Sequence, residues 1–194
     1  MSRLIDPESS ALVLVDLQEQ LLPAIHEHER VVAAAGWLAG IAHELAIPCH
    51  LTEQYPERLG ATTPAVAGRV PGAVRHAKMC FAWPREPEGG HRGLPRQVVV
   101  AGTEAHVCVL QTALALREGG HDVFMVAEAV GSRRAADRQL ALERFAGSGG
   151  VVVGAEMVAF EWLVRAGTDA FRRVLPQLRA GWEAELPATS SSPL

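Results

Sequence analysis

Residues 11–15 read Ala-Leu-Val-Leu-Val, a continuous apolar run of strand length that stops at Asp16. A second run of this kind, Gln97-Val-Val-Val-Ala101, stops at Gly102. Continuous apolar runs without alternation are typical of strands that are buried on both faces, as in a parallel sheet. The two runs therefore predict a parallel sheet that is covered by helices on both sides.

Further strands alternate with helices along the rest of the chain. The pattern predicts strands at 47–52, 72–78, 122–127 and 151–153, and helices at 30–46, 106–118, 135–146, 156–165 and 169–183. This alternation defines an α/β protein. We predict a Rossmann-like, three-layer α/β/α fold with a mainly parallel six-stranded sheet, and two long loops at 56–71 and 82–95 that are candidate lids.

Length and composition indicate one globular domain. The chain has 194 residues, of which 48% are hydrophobic and 21% charged, which argues against wholesale disorder. We predict a single domain over residues 1–186. The Ser- and Pro-rich residues 187–194 are predicted to form a disordered tail.

Charge, hydropathy and cysteine usage exclude several functions. The net charge of −4 argues against a nucleic-acid partner, and no apolar run is long enough to predict a membrane partner. The three cysteines share no CxxC spacing, which favours a reducing, cytoplasmic location over a disulfide framework. No glycine-rich loop follows the first strand, so a nicotinamide or ATP cofactor is disfavoured.

Three chemically useful side chains lie at or just beyond the carboxyl ends of predicted strands, where parallel α/β sheets bind their ligands. They are Asp16, Lys78, which is the only lysine among 18 basic residues, and Cys108, near the start of a helix. A helix N-terminus and a nearby cation lower the pKa of a thiol, and a carboxylate can move its proton. Each residue also has an ordinary alternative: an inert buried thiol, a helix cap and a solvated strand end.

Other residues near these positions have less certain roles. Gln18, Glu53, Gln54 and Phe81 are tentative substrate-pocket residues. Glu53 is equally well explained as a loop carboxylate held by local hydrogen bonds, and Phe81 as core or lid packing. The remaining thiols, Cys49 and Cys80, are predicted to be buried and inert.

Three segments resemble the signature regions of the isochorismatase-like cysteine hydrolase family. They are Leu14-Val-Asp16-Leu-Gln18, His76-Ala-Lys78-Met-Cys-Phe81 and Gly102-Thr-Glu-Ala-His-Val-Cys108-Val-Leu-Gln-Thr112. Further segments resemble the isochorismatase domain-containing proteins of unassigned substrate; these are Thr52-Glu-Gln-Tyr-Pro56, Glu104-Ala-His106, Ser132-Arg133 and Asp137-Arg138. The resemblance extends over residues 8–180.

The resemblance implies a catalytic triad of Asp16, Lys78 and Cys108. It also implies a cis peptide bond between Thr103 and Glu104, which would aim backbone N–H groups at an oxyanion. The N–H groups of Val107 and Cys108 are the expected oxyanion donors. Members of the family usually form dimers or larger assemblies, so a homo-oligomer is expected.

Two departures from the family pattern narrow the predicted chemistry. Isochorismatases proper lack the nucleophilic cysteine, so this chain resembles the branch that hydrolyses amides. The metal-binding Asp-x-His motif of nicotinamidases is replaced by Glu53-Gln54-Tyr55, which predicts no metal. We predict a cofactor-free cysteine hydrolase that cleaves a C–N bond of a small molecule through a thioester. The alternative is a non-enzymatic binding or assembly module, or a thiol redox sensor, on the same fold.

Overall fold

The computed structural model describes residues 4–87 and 89–186, so the predicted tail at 187–194 lies outside the described residues. The six predicted strands are confirmed, with some shifted ends. They are β1 (Ser10–Val15), β2 (Cys49–Gln54), β3 (Val74–Lys78), β4 (Gln97–Gly102), β5 (Asp122–Val130) and β6 (Val151–Val153). All pairs are parallel, in the order β3-β2-β1-β4-β5-β6. Strand β2 begins after Pro48, which has no N–H to donate.

The five predicted helices are also present, with shifted ends, and two short helices that were not predicted are added to them. In chain order the helices are α1 (His28–Glu44), α2 (Pro56–Leu59), α3 (Pro64–Ala67), α4 (Leu110–Glu118), α5 (Ala135–Gly147), α6 (Ala155–Leu163) and α7 (Asp169–Ala180). The short helices α2 and α3 occupy the first of the two long loops. A π-helical turn, Ala105–Val109, precedes α4 where the sequence predicts one continuous helix. None of the helices in the described part of the chain is long and apolar enough to span a membrane.

Strand β1 separates two hydrophobic cores because its side chains alternate between the faces of the sheet. Leu12 and Leu14 belong to the core that contains residues of α1, α6 and α7. Val13 and Val15 belong to the core that contains residues of α4 and α5. This arrangement confirms the three-layer α/β/α architecture.

The carboxyl ends of β1 and β4 meet where the strand order reverses, which is the usual ligand position in open α/β sheets. The close approach depends on Gly102, whose φ is +148°. A Cβ atom at this position would lie 2.1 Å from the carbonyl oxygen of Val15. The next residue, Thr103, donates its N–H to the same oxygen at 2.9 Å. The chain that leaves β4 is therefore held beside Asp16.

Candidate active site

A buried ion pair lies at this edge of the sheet. The ammonium of Lys78 is 2.7 Å from Asp16 Oδ2, and both side chains are fully buried. The same ammonium donates to Gln54 Oε1 at 2.6 Å. Buried charges are tolerated only when they are paired and hydrogen-bonded, and this pair satisfies both conditions.

Asp16 is held from several directions. Thr52 donates its hydroxyl hydrogen to Asp16 Oδ1 at 2.8 Å, and the backbone N–H of Asp16 donates to the Thr52 carbonyl at 3.0 Å. Thr103 donates its hydroxyl hydrogen to the Asp16 carbonyl. The carboxylate is therefore fixed in position, with one oxygen facing Thr52 and the other Lys78.

Left-handed backbone is concentrated at this edge. Asp16, Tyr55 and Glu104 have φ values of 53°, 40° and 52°, and they follow β1, β2 and β4. Such conformations cost free energy in non-glycine residues and are found preferentially at functional sites. They turn the chain sharply where it leaves the sheet, which brings polar side chains together over the strand ends.

Cys108 lies in the π-helical turn and is only 4% exposed. Burial raises the pKa of its thiol to about 12, helped by the charge of Asp16 and by the hydrogen bond from the thiol to Asp16, while Lys78 opposes the shift. The expectation of a lowered thiol pKa is therefore wrong for this structure. The loss of solvation of the thiolate and the negative charge of Asp16 raise the pKa by more than the positive charge of Lys78 lowers it.

The backbone before Cys108 also differs from expectation. The Thr103–Glu104 peptide bond is trans, so the predicted cis bond is wrong. The left-handed conformation of Glu104 makes the chain reversal instead. The Glu104 carbonyl then accepts the N–H of Val107 at 2.8 Å, so this N–H is already engaged.

The four tentative pocket residues have different environments. Gln54 contacts Lys78 directly, while Gln18 donates to the carbonyls of Gln54 and Gly60 at 3.0 and 2.6 Å. Gln18 therefore holds the wall of the site together. Phe81 brings only its carbonyl oxygen near the site, 3.4 Å from the Lys78 ammonium, and its side chain is 53% exposed.

Glu53 is held by hydrogen bonds to nearby groups, as expected if it is a loop carboxylate and not a substrate-pocket residue. Its Oε1 accepts the N–H and the hydroxyl of Thr62, each at 2.8 Å, and the Arg75 guanidinium at 2.8 Å. These bonds tie the loop that contains α2 to β2 and β3. In residues 4–87 and 89–186, no group of three or more His, Cys, Asp and Glu side chains is arranged to hold a metal ion.

The other two cysteines are half-buried, so the expectation that both are buried is wrong. Cys80 lies in the turn beyond the end of β3, where no strand covers it. Cys49 begins β2, and burial raises its thiol pKa to about 12. Two cavities, of about 430 Å³ beside His76 and Trp83 and about 400 Å³ beside His121, have no triad residue in their linings.

Two groups of functional interest were missed by sequence reasoning. The first is the Thr52 hydroxyl. The feature that could have indicated its role is a polar residue paired with Val15 in a buried part of the sheet. The second is the side chain of Glu104, which pairs with Arg133 across 2.8 Å. No spacing rule connects residues 104 and 133, because the contact depends on how the chain after β5 folds back.

Comparisons with known proteins identify the family to which this chain belongs. Residues 91–157 match the Isochorismatase domain. Isochorismatase domain-containing protein 2A of Mus musculus is 36% identical over 172 residues, which cover 87% of this chain and 82% of that protein. The chain therefore belongs to the isochorismatase-like hydrolase family, as the signature segments predicted.

Two solved structures extend the comparison. The structure of MAR1 ribonuclease from Caenorhabditis elegans has a TM-score of 0.86 and 30% identity, and the match covers 99% of this chain and 98% of that one. The Escherichia coli YcaC product, described as an octameric hydrolase of unknown specificity, has a TM-score of 0.81 and 24% identity, with 96% and 92% coverage. The second likeness shows the shared fold.

Proposed function

We propose that this protein is a cysteine hydrolase that cleaves the C–N bond of a small amide through a thioester on Cys108. One observation carries the proposal. The buried Asp16 carboxylate, held by Lys78 and Thr52, raises the pKa of the Cys108 thiol through its charge and through hydrogen bonding. A nucleophile hydrogen-bonded to a positioned base is the arrangement that covalent catalysis requires.

In the first half-reaction, Cys108 Sγ attacks the amide carbonyl carbon while its proton moves to Asp16. The carbonyl oxygen becomes an oxyanion in the tetrahedral intermediate, and the Cys108 N–H is proposed as its donor. Asp16 then protonates the leaving nitrogen as the C–N bond breaks. An amine or ammonia departs, and the acyl group remains on Sγ as a thioester.

In the second half-reaction, water attacks the thioester carbonyl and gives a proton to Asp16. The C–S bond then breaks, the acid is released, and Asp16 returns the proton to Sγ. The sum is amide plus water giving carboxylic acid plus amine. A thiol pKa of about 12 fits this scheme, because the proton leaves Cys108 only when Asp16 takes it during attack.

Lys78 is proposed to stabilise charge throughout the cycle. Its ammonium is anchored by Gln54 Oε1, so it stays in place when Asp16 becomes neutral. Gln18 in turn fixes the backbone of Gln54, accepting its N–H at 2.8 Å. Gln18 and Gln54 are therefore positioning residues for Lys78.

The alternative of a redox sensor receives less support. Sensor thiols are exposed and have low pKa values, whereas Cys108 is buried and its pKa is raised. The description of the C. elegans structure suggests a ribonuclease as a further alternative, but a net charge of −4 is unfavourable for binding a polyanion. The experiments below distinguish both alternatives from an amide hydrolase.

The test is a panel of small primary amides, assayed for release of ammonia with and without hydroxylamine. Hydroxylamine attacks a thioester to give a hydroxamate and the free thiol. We expect ammonia release and hydroxamate formation that are both lost in Cys108→Ala and retained in Cys49→Ala. Amide turnover that persists in Cys108→Ala would overturn the covalent mechanism.

The same preparations are incubated with single-stranded RNA and with dilute peroxide. RNA cleavage without amide turnover would replace the proposal with a nuclease function. Rapid formation of a sulfenic acid on Cys108, again without amide turnover, would favour the sensor.

We also propose that the chain assembles into a homo-oligomer, as the YcaC description supports. Light scattering coupled to size exclusion is expected to give a mass of at least twice the 20.8 kDa of one chain. A monomeric mass would contradict this proposal.

A further inference from the structure

Glu104 lies two residues beyond Gly102, the last residue of β4. It begins the π-helical turn that contains Cys108, and its side chain is 13% exposed. Glu104 Oε1 is held by Arg133 Nε at 2.8 Å. One half of this carboxylate is therefore fixed by an ion pair at the protein surface.

The other half of the carboxylate is buried without a donor. Glu104 Oε2 has no hydrogen-bond partner in the described part of the chain. It lies 3.5 Å from His106 Nδ1, but that nitrogen makes its hydrogen bond with Ser132 Oγ at 3.1 Å. A buried carboxylate oxygen that lacks a donor is costly, and such atoms usually have a partner.

Glu104 is also close to the nucleophile along the chain, because it caps the turn that contains Cys108. The negative charge of Glu104 contributes to the raised pKa of the Cys108 thiol, four residues along the same turn. Lys78 is engaged with Asp16 and Gln54, and Arg133 holds the other oxygen of Glu104, so neither cation is bonded to Oε2. The site therefore holds a second carboxylate with one unsatisfied oxygen.

We infer that Glu104 Oε2 binds a cationic N–H donor of the substrate, an ammonium or guanidinium group. A charged donor gives a stronger hydrogen bond to a carboxylate than a neutral donor does. The inference rests on the proposed function, since it assigns Glu104 to the site at which Cys108 attacks. Glu104 is a specificity-determining residue, and the substrate class is a small cationic amide.

The test uses two chloroacetamides of equal size, N-(2-aminoethyl)-2-chloroacetamide and N-propyl-2-chloroacetamide. In each reaction an S–C bond forms on the cysteine, chloride leaves, and the thiol proton passes to the buffer. The probes differ only in an ammonium in place of a methyl group. Mass spectrometry of peptides gives the rate ratio of the two probes at Cys108, divided by the same ratio at Cys49.

We expect a normalised ratio of about ten or more in the native protein, because a hydrogen bond to a charged group has roughly that effect on binding. Glu104→Gln keeps the shape of the side chain and should bring the ratio close to one. Asp137→Asn is the matched control. It removes a carboxylate 3.9 Å from His106 Nε2 and should leave the ratio unchanged.

A ratio near one in the native protein, or an unchanged ratio in Glu104→Gln, would overturn the inference. An equal fall in Asp137→Asn would also overturn it, because it would indicate diffuse attraction to the whole acidic cluster. Alkylation does not require hydrolysis. A high ratio without amide turnover would therefore contradict the proposed hydrolase function and leave the role of Glu104 standing. Amide turnover with a ratio near one would contradict the role of Glu104 and leave the hydrolase function standing.

Discussion

Cys49 and Cys108 lie at opposite ends of the sheet, and each has a thiol pKa raised to about 12. The cause at Cys49 is burial alone, and its thiol donates to the Ile47 carbonyl at 3.3 Å. At Cys108 the thiol faces Asp16, which adds to the rise, and Lys78, which opposes it. A carbonyl cannot accept a proton from a thiol at neutral pH, whereas a carboxylate can. The two cysteines therefore differ in the group that faces the thiol, a carbonyl at Cys49 and a carboxylate at Cys108, and not in the thiol pKa.

The largest expected effect comes from removing each thiol in turn. Cys108→Ala should lower kcat for any amide found in the screen by about 10⁴-fold or more, because the covalent step is lost. Cys49→Ala should leave kcat within about twofold, since its thiol has no base. Steady-state kinetics check both. A similar loss of kcat in both variants would mean that the substitutions act by destabilising the protein and not by removing a nucleophile.

Asp16→Asn should lower kcat by about 10²- to 10⁴-fold, the range expected when a general base is removed. The amide keeps the size of the side chain but cannot take the thiol proton. Circular dichroism confirms that the variant is folded before its rate is measured. Native-like turnover in a folded variant would remove Asp16 from the mechanism.

Lys78→Met should lower stability by about 3–5 kcal/mol, since it leaves the Asp16 carboxylate buried without its counter-charge. The double variant Lys78→Met/Asp16→Leu removes both charges and should recover part of that loss. Urea denaturation measures each free energy of unfolding. If both proteins are as stable as the native one, the pair contributes nothing to the fold.

Thr52→Val is expected to have the smallest effect, about tenfold on kcat and about 1 kcal/mol on stability. It removes one hydrogen bond to Asp16 Oδ1 and preserves the side-chain shape. Thr62→Val, at a hydroxyl bonded to Glu53, is the matched control and should leave kcat unchanged. Equal effects of both variants on kcat would show that Thr52 does not act through Asp16.

The fold was predictable because its determinants are local. The apolar runs that form β1 and β4 are unbroken, and the helices between strands carry the expected pattern. The positions of Asp16, Lys78 and Cys108 at or beyond the carboxyl ends of strands followed from the same pattern. Parallel pairing then places strand ends at one edge of the sheet.

The electrostatics of the site were not predictable, because they depend on burial and on which groups face each other. The sequence suggested that Lys78 would lower the pKa of Cys108, but Lys78 is committed to Asp16 and Gln54. Likewise, the sequence made Glu53 a candidate site carboxylate, but in the structure its Oε1 accepts hydrogen bonds from Thr62 and Arg75. Such contacts join distant segments and leave no spacing in the sequence.

Asp16 is proposed to keep the Cys108 thiol protonated until attack, and this role can be tested without knowing the substrate. The measurement is the rate of iodoacetamide alkylation at pH 8, resolved by peptide mass spectrometry, in the native protein, Asp16→Asn and Lys78→Met. Cys49 is the internal reference in each sample. A free thiol has a pKa of about 8.5 and reacts readily at this pH, whereas native Cys108 should react slowly.

Removing the Asp16 carboxylate takes away two causes of the raised pKa, so Cys108 alkylation should become faster relative to Cys49. Removing the Lys78 ammonium takes away the opposing cause, so the relative rate should fall. Greater access to a loosened site would speed alkylation in both variants. We therefore expect opposite changes in the two variants. Equal relative rates in all three proteins would show that neither Asp16 nor Lys78 acts on the Cys108 thiol.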